Sequence, residues 1–512
     1  MLVRLFSAAI NGLVATIVEI EVNTSRGQKL LISGLPDTAI RESYSRVTSA
    51  IANSGFKHPQ QSIVINLAPA NLRKEGTAYD LPIAIALMVC AEVVNRDSLG
   101  KVLLLGELGL DGTLRPVRGC LSIAIEARAK GFDALIVPSE NRCEAAVVEG
   151  IKIYGAHHLV EVVDFLNGKD TLQPTETGVP SNLFNHEAHF DCDFSEVKGQ
   201  ESVKRAFEVA AAGGHNMLLI GSPGCGKSMM AKRMPTILPP LSKAESLETT
   251  QIHSVAGMLP AGVSLITQRP FRCPHHTISD VALTGGGSTF MPGEISLAHN
   301  GVLFLDEFPE FNRSVLETLR QPLEDRIVSV SRAKYRINLP CSFQLIAAMN
   351  PCPCGYYNDP QHHCGCSPGQ IKRYMNKISG PLLDRIDLQC EVVPLSFSDL
   401  SKAAPGRSSA EIRRNVIAAR EIQIRRFHEF PGIHCNAQMT PKMLNTFVHL
   451  DESALKILRT VIERFNMSAR AYEKILKVAR TVADLAGSEV ITPLHISEAV
   501  GYRSLDRSSW GE

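Results

Sequence analysis

The chain has 512 residues, enough for about three domains, and its 44% hydrophobic content is ample for real cores. Lys plus Arg number 53 against 52 acidic residues, which excludes nucleic-acid binding by bulk charge; such a partner needs a local basic patch. No apolar run reaches about 18 residues, so no membrane span is expected, and 13 cysteines in so long a chain point to the reducing cytoplasm rather than a disulfide scaffold.

Residues 1–17 have a faint signal-peptide look, with Arg4 as their one charge, but they run into the alternating Ile17-Val18-Glu19-Ile20-Glu21-Val22, which reads as a strand. Further strand-like runs at 30–33, 62–67, 102–106 and 134–137 alternate with helical runs at 39–54, 81–90 and 119–130. Residues 1–168 thus form an α/β or α+β unit. Residues 169–192, rich in Pro, Thr, Asn and Gly around 170–189, read as a linker. A nucleotide-binding unit spans 193–400. After a break at 401–409 the chain is helical, with runs at 410–427, 441–448, 451–465, 469–485 and 493–502, so 401–512 forms a separate helical unit.

Gly221-Ser222-Pro223-Gly224-Cys225-Gly226-Lys227-Ser228 fits the phosphate-loop pattern at every position. It sits between a short apolar strand, Met217-Leu218-Leu219-Ile220, and the start of a helix. Glycines let successive N–H groups curl toward phosphate oxygens, and the helix N-terminus adds a favourable dipole. Lys227 can reach the β- and γ-phosphates of ATP, and Ser228 can ligate Mg²⁺. A second apolar run, Val302-Leu303-Phe304-Leu305, ends in Asp306-Glu307. Asp306 would hold Mg²⁺ through water and Glu307 would act as general base. A third run, 343–349, ends at Asn350-Pro351, placing an amide at the ligand crevice of an open α/β sheet. Asn350 there could orient the lytic water or sense the γ-phosphate; alone, an Asn before Pro is a turn.

Cys352, Cys354, Cys364 and Cys366 supply four thiols within fifteen residues, in a loop at 351–367. Four soft ligands suit a structural, tetrahedral Zn²⁺ with no open position. The adjacent His275 and His276 have no partner cluster in the sequence and read as structural. Residues 326–340 read as a β-hairpin whose tip carries Arg332 and Lys334. A solvated charged turn is its ordinary meaning.

Around these motifs stand Phe194-Ser195-Glu196-Val197-Lys198-Gly199-Gln200, Arg272-Cys273-Pro274-His275-His276-Thr277-Ile278-Ser279, Leu283-Thr284-Gly285-Gly286-Gly287, Pro292-Gly293-Glu294-Ile295-Ser296, Gly380-Pro381-Leu382-Leu383-Asp384-Arg385-Ile386-Asp387 and Ser468-Ala469-Arg470-Ala471-Tyr472. Together they resemble the magnesium-chelatase-like branch of AAA+ ATPases, and within it the bacterial ComM/YifB family, along essentially the whole chain. The resemblance implies an AAA+ P-loop core with a helical C-terminal lid. It implies Val197 near adenine, Arg385 as the arginine finger reaching a neighbouring subunit's site, and Arg470 as a sensor touching phosphate within its own subunit. It also implies a ring, expected to be a hexamer, moving on single-stranded, duplex or branched DNA as a branch-migration helicase in natural transformation. A chelatase-type motor that remodels a protein partner is the alternative. In related ring helicases a hairpin at 326–340 points into the pore, where Arg332 and Lys334 would track phosphates without reading sequence. The Gly285–Thr289 region is a second pore-loop candidate.

The N-terminal unit in turn resembles Lon-type proteases, at 69–82 and from 106–112 through 138–141. The serine and lysine positions fall at Ala78 and Leu121, and neither side chain can do serine–lysine chemistry. Lys74 and Ser122 lie close by in sequence. The expectation is an interaction or assembly domain without peptidase activity.

Overall fold

A computed structural model of the chain describes residues 1–179, 190–287, 290–332, 335–395, 406–465 and 467–503. Within the first unit an antiparallel hairpin, Leu2–Asn11 with Val14–Ser25, forms the centre of an eight-stranded mixed sheet. Gly12, at φ +66°, makes its two-residue turn possible. Ser62–Ala68 and Leu30–Ser33 extend the sheet on one side. Val102–Leu104, Ala134–Pro138, Lys152–Ala156 and Pro174–Thr175 extend it on the other. The helix Asp80–Cys90 shares a core with Leu5, Ala9 and Ile20, while Cys120–Ala129 shares one with Ala8, Ala15 and Leu103.

The hairpin is therefore sandwiched between helical layers. This explains the apolar N-terminal run: Ser7, Ala8 and Ala9 are buried in succession because both faces of their strand are covered. The strand expected from residue 17 begins at Val14, and residues 2–11 before it form its partner strand. The stretch expected to be a linker, 169–192, contains a short strand, Pro174–Thr175, paired to Lys152–Ala156. Residues 180–189 lie outside the described set.

The second sheet is parallel, with five strands in the order Phe271–Arg272, Val302–Leu305, Gln344–Met349, Met217–Gly221, Leu388–Val392. Its three central strands are buried throughout, which is why they read as continuous apolar runs. Parallel strands put all their carboxyl ends at one edge. That edge carries Gly221, Asp306 and Asn350; Asn216, Phe343 and Asp387 lie at the amino edge.

C-terminal helices Ser409–Arg426, Pro441–Phe447, Glu452–Phe465, Ala469–Leu485 and Pro493–Gly501 follow. Ser408, Thr440 and Ser468 cap three of them by accepting a backbone N–H. Ile412, Val416, Ile475 and Ala479 join Phe207, Met230 and Met234 in one core, so these helices pack on the nucleotide-binding unit. Each large side chain buried there contributes about 1.5–3 kcal/mol.

The N-terminal unit also packs on this body. Helix Lys243–Ala256 lies against Cys120–Ala129, and the Ser254 hydroxyl donates to buried Glu144 at 2.5 Å. The turn at Gly12 abuts Ile337 of a two-stranded hairpin, Ile327–Arg332 with Tyr335–Pro340, and Leu13 packs into the same cluster. Among the described residues no helix is long and apolar enough to cross a membrane.

Candidate functional site

The phosphate loop leaves the carboxyl end of Met217–Gly221 and enters helix Lys227–Ile237. Gly224 and Gly226 adopt φ of +77° and +91°, where a side chain would be strained. Buried Lys227 donates from Nζ to the carbonyls of Gly221 (2.6 Å) and Ser222 (2.9 Å) and to Asn350 Oδ1 (3.2 Å). Ser228 Oγ donates to Asp306 Oδ2 at 2.5 Å, so the hydroxyl and carboxylate expected to serve Mg²⁺ already share one position. Cys225 is half-buried, with its sulfur 3.7 Å from Lys227 Nζ.

Val197 is buried behind this edge. Three residues on, Gln200 donates to the carbonyl of Val393, just beyond the Val392 that pairs with Gly221. The segment expected near adenine therefore lies beside the phosphate loop.

Glu307 sits at φ +52°, ψ +43°, a left-handed conformation that costs a non-glycine residue roughly 1–2 kcal/mol. Its backbone N–H donates to Asp306 Oδ1, and its exposed carboxylate meets His276 Nδ1 at 3.0 Å. The His276 ring also stacks on His275, with centroids 4.1 Å apart, and sits edge-on to Phe311. His276 is thus part of the site rather than merely structural. Spacing gave no sign of this: the pair forms because Phe271–Arg272 runs parallel to Val302–Leu305, so the segments leaving both strands converge.

The four predicted thiols converge. Cys352 Sγ lies 3.3 Å from Cys354 Sγ and 3.7 Å from Cys364 Sγ, and Cys354 lies 3.5 Å from Cys364. All four sulfurs fall within 4.8 Å of one another. A tetrahedral site with Zn–S near 2.3 Å has S···S edges of about 3.8 Å, so the donor set fits. Against the cost of desolvation, the Tyr356 N–H and hydrogen bonds shared among the thiols lower Cys354; the shared bonds raise Cys364 and Cys366, so without a metal the cluster favours one thiolate at Cys354.

Arg385 and Arg470 lie elsewhere. Arg385 donates to the Pro381 carbonyl and to Glu324, and its Nε has no acceptor among the described residues. Arg470 donates to Asp384 at 3.3 Å. Both line a cavity of about 320 Å³ with Asn216, Phe343 and Asp387, at the amino edge of the sheet. A five-residue strand rising about 3.3 Å per residue separates that edge from the phosphate loop, on the order of 15 Å. Arg470 is placed at the amino edge because the cap at Ser468 starts its helix beside Asp384.

The hairpin predicted at 326–340 forms. The side chain of Arg332, and all of Lys334, lie outside the described residues. Gly285–Gly286 pairs with Met291–Pro292, while Ser288 and Thr289 are likewise outside. In the N-terminal unit Leu121 is fully buried and Ala78 partly so. Lys74 Nζ donates to the carbonyls of Gly34, Leu67 and Pro69, which engages all three protons. Ser122 Oγ is buried and not bonded to Lys74. A serine–lysine dyad is not assembled from either pair.

Family models described as "Magnesium chelatase, subunit ChlI", "Subunit ChlI of Mg-chelatase" and "Magnesium chelatase, subunit ChlI C-terminal" match residues 193–400, 19–141 and 406–503. Uncharacterized protein YifB of Escherichia coli is 44% identical over 97% of this chain and 96% of its own length. Competence protein ComM of Haemophilus influenzae is 42% identical over 98% and 97%. Uncharacterized protein Rv2897c of Mycobacterium tuberculosis is 41% identical over 94% and 95%. Identity of this depth along nearly the full length of both partners, on a sheet that gathers a phosphate loop and an acidic pair at one edge, shows that the chain belongs to the ComM/YifB family of magnesium-chelatase-like AAA+ proteins.

Proposed function

We propose that the chain is an ATPase whose nucleotide sites are shared between the subunits of a ring, expected to be a hexamer, and that the ring moves on DNA. The observation that carries this reading is the split of the machinery between two sheet edges. Lys227, Ser228, Asp306, Glu307 and Asn350 gather at one, while Arg385 and Arg470 gather at the other.

In this reading the loop N–H groups cradle the phosphates, and Lys227 turns from the Gly221 and Ser222 carbonyls onto the β- and γ-oxygens. Ser228 and Asp306 would hold Mg²⁺, which would supply charge neutralisation. Glu307 takes the proton of the attacking water, held in line by Asn350. Arg385 from the adjacent subunit stabilises charge on the transferring phosphoryl group, and Arg470 arrives with it. The four thiols of the loop would hold a structural Zn²⁺. The helical C-terminal unit serves as lid, and the N-terminal unit, Lon-protease-like but without its dyad, serves assembly.

The name of the Haemophilus relative favours DNA brought in during competence, hence branch migration of recombination intermediates. The chelatase names of the matching models favour the second reading, a motor that remodels a protein partner. ATP turnover measured with branched DNA, single strands, duplex or no DNA separates them. Stimulation by branched DNA is expected, and equal rates in all four would favour the protein partner.

A further inference from the structure

The thiol loop is also a wall of the nucleotide site. Three contacts clasp it to the phosphate loop. Asn350, two residues before Cys352, accepts from Lys227. Gly355, immediately after Cys354 and at φ +87°, lies so close to Pro223 that a Cβ there would stand 2.7 Å from its Cδ. Between the cysteine pairs, Asp359 accepts the Ser222 hydroxyl at 2.5 Å.

Asp359 is built for this contact. Its side chain is 1% exposed. Oδ1 accepts the N–H groups of Gln361 (2.8 Å) and His362 (3.0 Å) and meets His362 Nδ1 at 3.3 Å, which leaves Oδ2 aimed at Ser222. Those hydrogen bonds hold the carboxyl below its ordinary range, the largest contribution coming from Ser222. The His362 ring in turn stacks on Tyr356, with centroids 4.6 Å apart. Of the eight phosphate-loop residues, Ser222 is the one this carboxylate grips, and the Ser222 carbonyl is also where Lys227 rests.

We infer that Asp359 is a positioning residue for ATP, pinning the phosphate loop through Ser222, and that metal held by the four cysteines sets how firmly it does so. This rests on the zinc reading above. Cys354 and Cys364 are the fixed ends of the segment that carries Asp359. A metal that ties them removes most of the freedom with which Asp359 could leave Ser222.

The test is binding of a fluorescent methylanthraniloyl derivative of ADP, with zinc counted on the same samples by a chromogenic chelator. Asp359→Ala and Ser222→Ala are each expected to weaken binding about tenfold while keeping about one zinc per chain. The double variant is expected to be no weaker than either single one, because both remove the same contact. Asp359→Asn keeps its oxygen for the Gln361 and His362 N–H groups and turns its NH2 to Ser222, whose hydroxyl can accept it. With the contact kept and its direction reversed, binding should stay within about twofold of the wild type, which separates positioning from a general folding defect. Stripping zinc from the wild type should reproduce the tenfold loss and add little in Asp359→Ala. Wild-type affinity in Asp359→Ala, or additive losses in the double variant, would overturn the clasp. Protein that carries no zinc, yet loses affinity in Asp359→Ala, would overturn the metal's part in it.

Discussion

Glu307 is the residue on which turnover should depend most. Glu307→Gln keeps the shape and the backbone strain but removes the base. It should leave nucleotide binding intact and lower ATP hydrolysis by about 10²–10⁴-fold, read in a steady-state phosphate-release assay. His276 touches the reaction only through that carboxylate. Adding His276→Ala to Glu307→Gln should therefore cost nothing further, and a multiplicative loss would give the histidine another role. The two residues differ in how well the sequence shows them. Glu307 follows a buried apolar strand and an aspartate, a signal contained in seven consecutive residues. The partners of His276 and Asp359 come from separate segments, joined by strand order and loop packing that local pattern does not encode. The same reason hid the amino-edge position of Arg470, whose contact with Asp384 spans 86 residues.

The helix Ala469–Leu485 is anchored to the amino edge of the sheet by a buried charge cluster. Asp387 pairs with Lys474 and with His215 Nδ1, 3.2 Å away, and accepts the Asn216 N–H. Against the cost of burial, Lys474 and His215 hold Asp387 well below the usual carboxylate range. Its contribution to stability is therefore complete above about pH 4 and is lost as pH falls through its folded value. Burial lowers His215, so the fold keeps it neutral; the unfolded chain protonates first, and stability falls as pH drops below about 6.5. Lys474→Ala leaves a buried carboxylate without its main partner. It should destabilise this unit by about 3–5 kcal/mol and move the acid limb of its thermal melt to higher pH. The hairpin Ile327–Arg332 with Tyr335–Pro340 was readable from its alternation, whereas Leu2–Asn11 was not, because a strand covered on both faces does not alternate. If the hairpin tip tracks DNA, replacing Arg332 and Lys334 with Ala should lower the salt slope of DNA binding by about two, with basal ATPase retained. An unchanged slope would move the contact to the Gly285–Thr289 region.

At the scale of the whole molecule, the proposed ring requires the two sheet edges of one subunit to be complementary ends. Arg385→Ala and Lys227→Ala should each be inactive alone, yet mixing them should restore part of the turnover, because some interfaces then join an intact loop to an intact finger. Arg470→Ala should be rescued by Lys227→Ala in the same way and not by Arg385→Ala, since both arginines belong to the same edge. Rescue in neither mixture would return the site to a single chain. Changes of composition along the sequence suggest three units in order. Their packing is not legible there: the turn at Gly12 and Leu13 lies against Ile337 of the basic hairpin and near the end of helix Lys243–Ala256. A hairpin braced in this way does not swing alone. If the hairpin moves against DNA as proposed, its stroke would be loaded by the stiffness of the N-terminal unit behind it, with Gly12, too tight against Ile337 for even a methyl group, as the fulcrum.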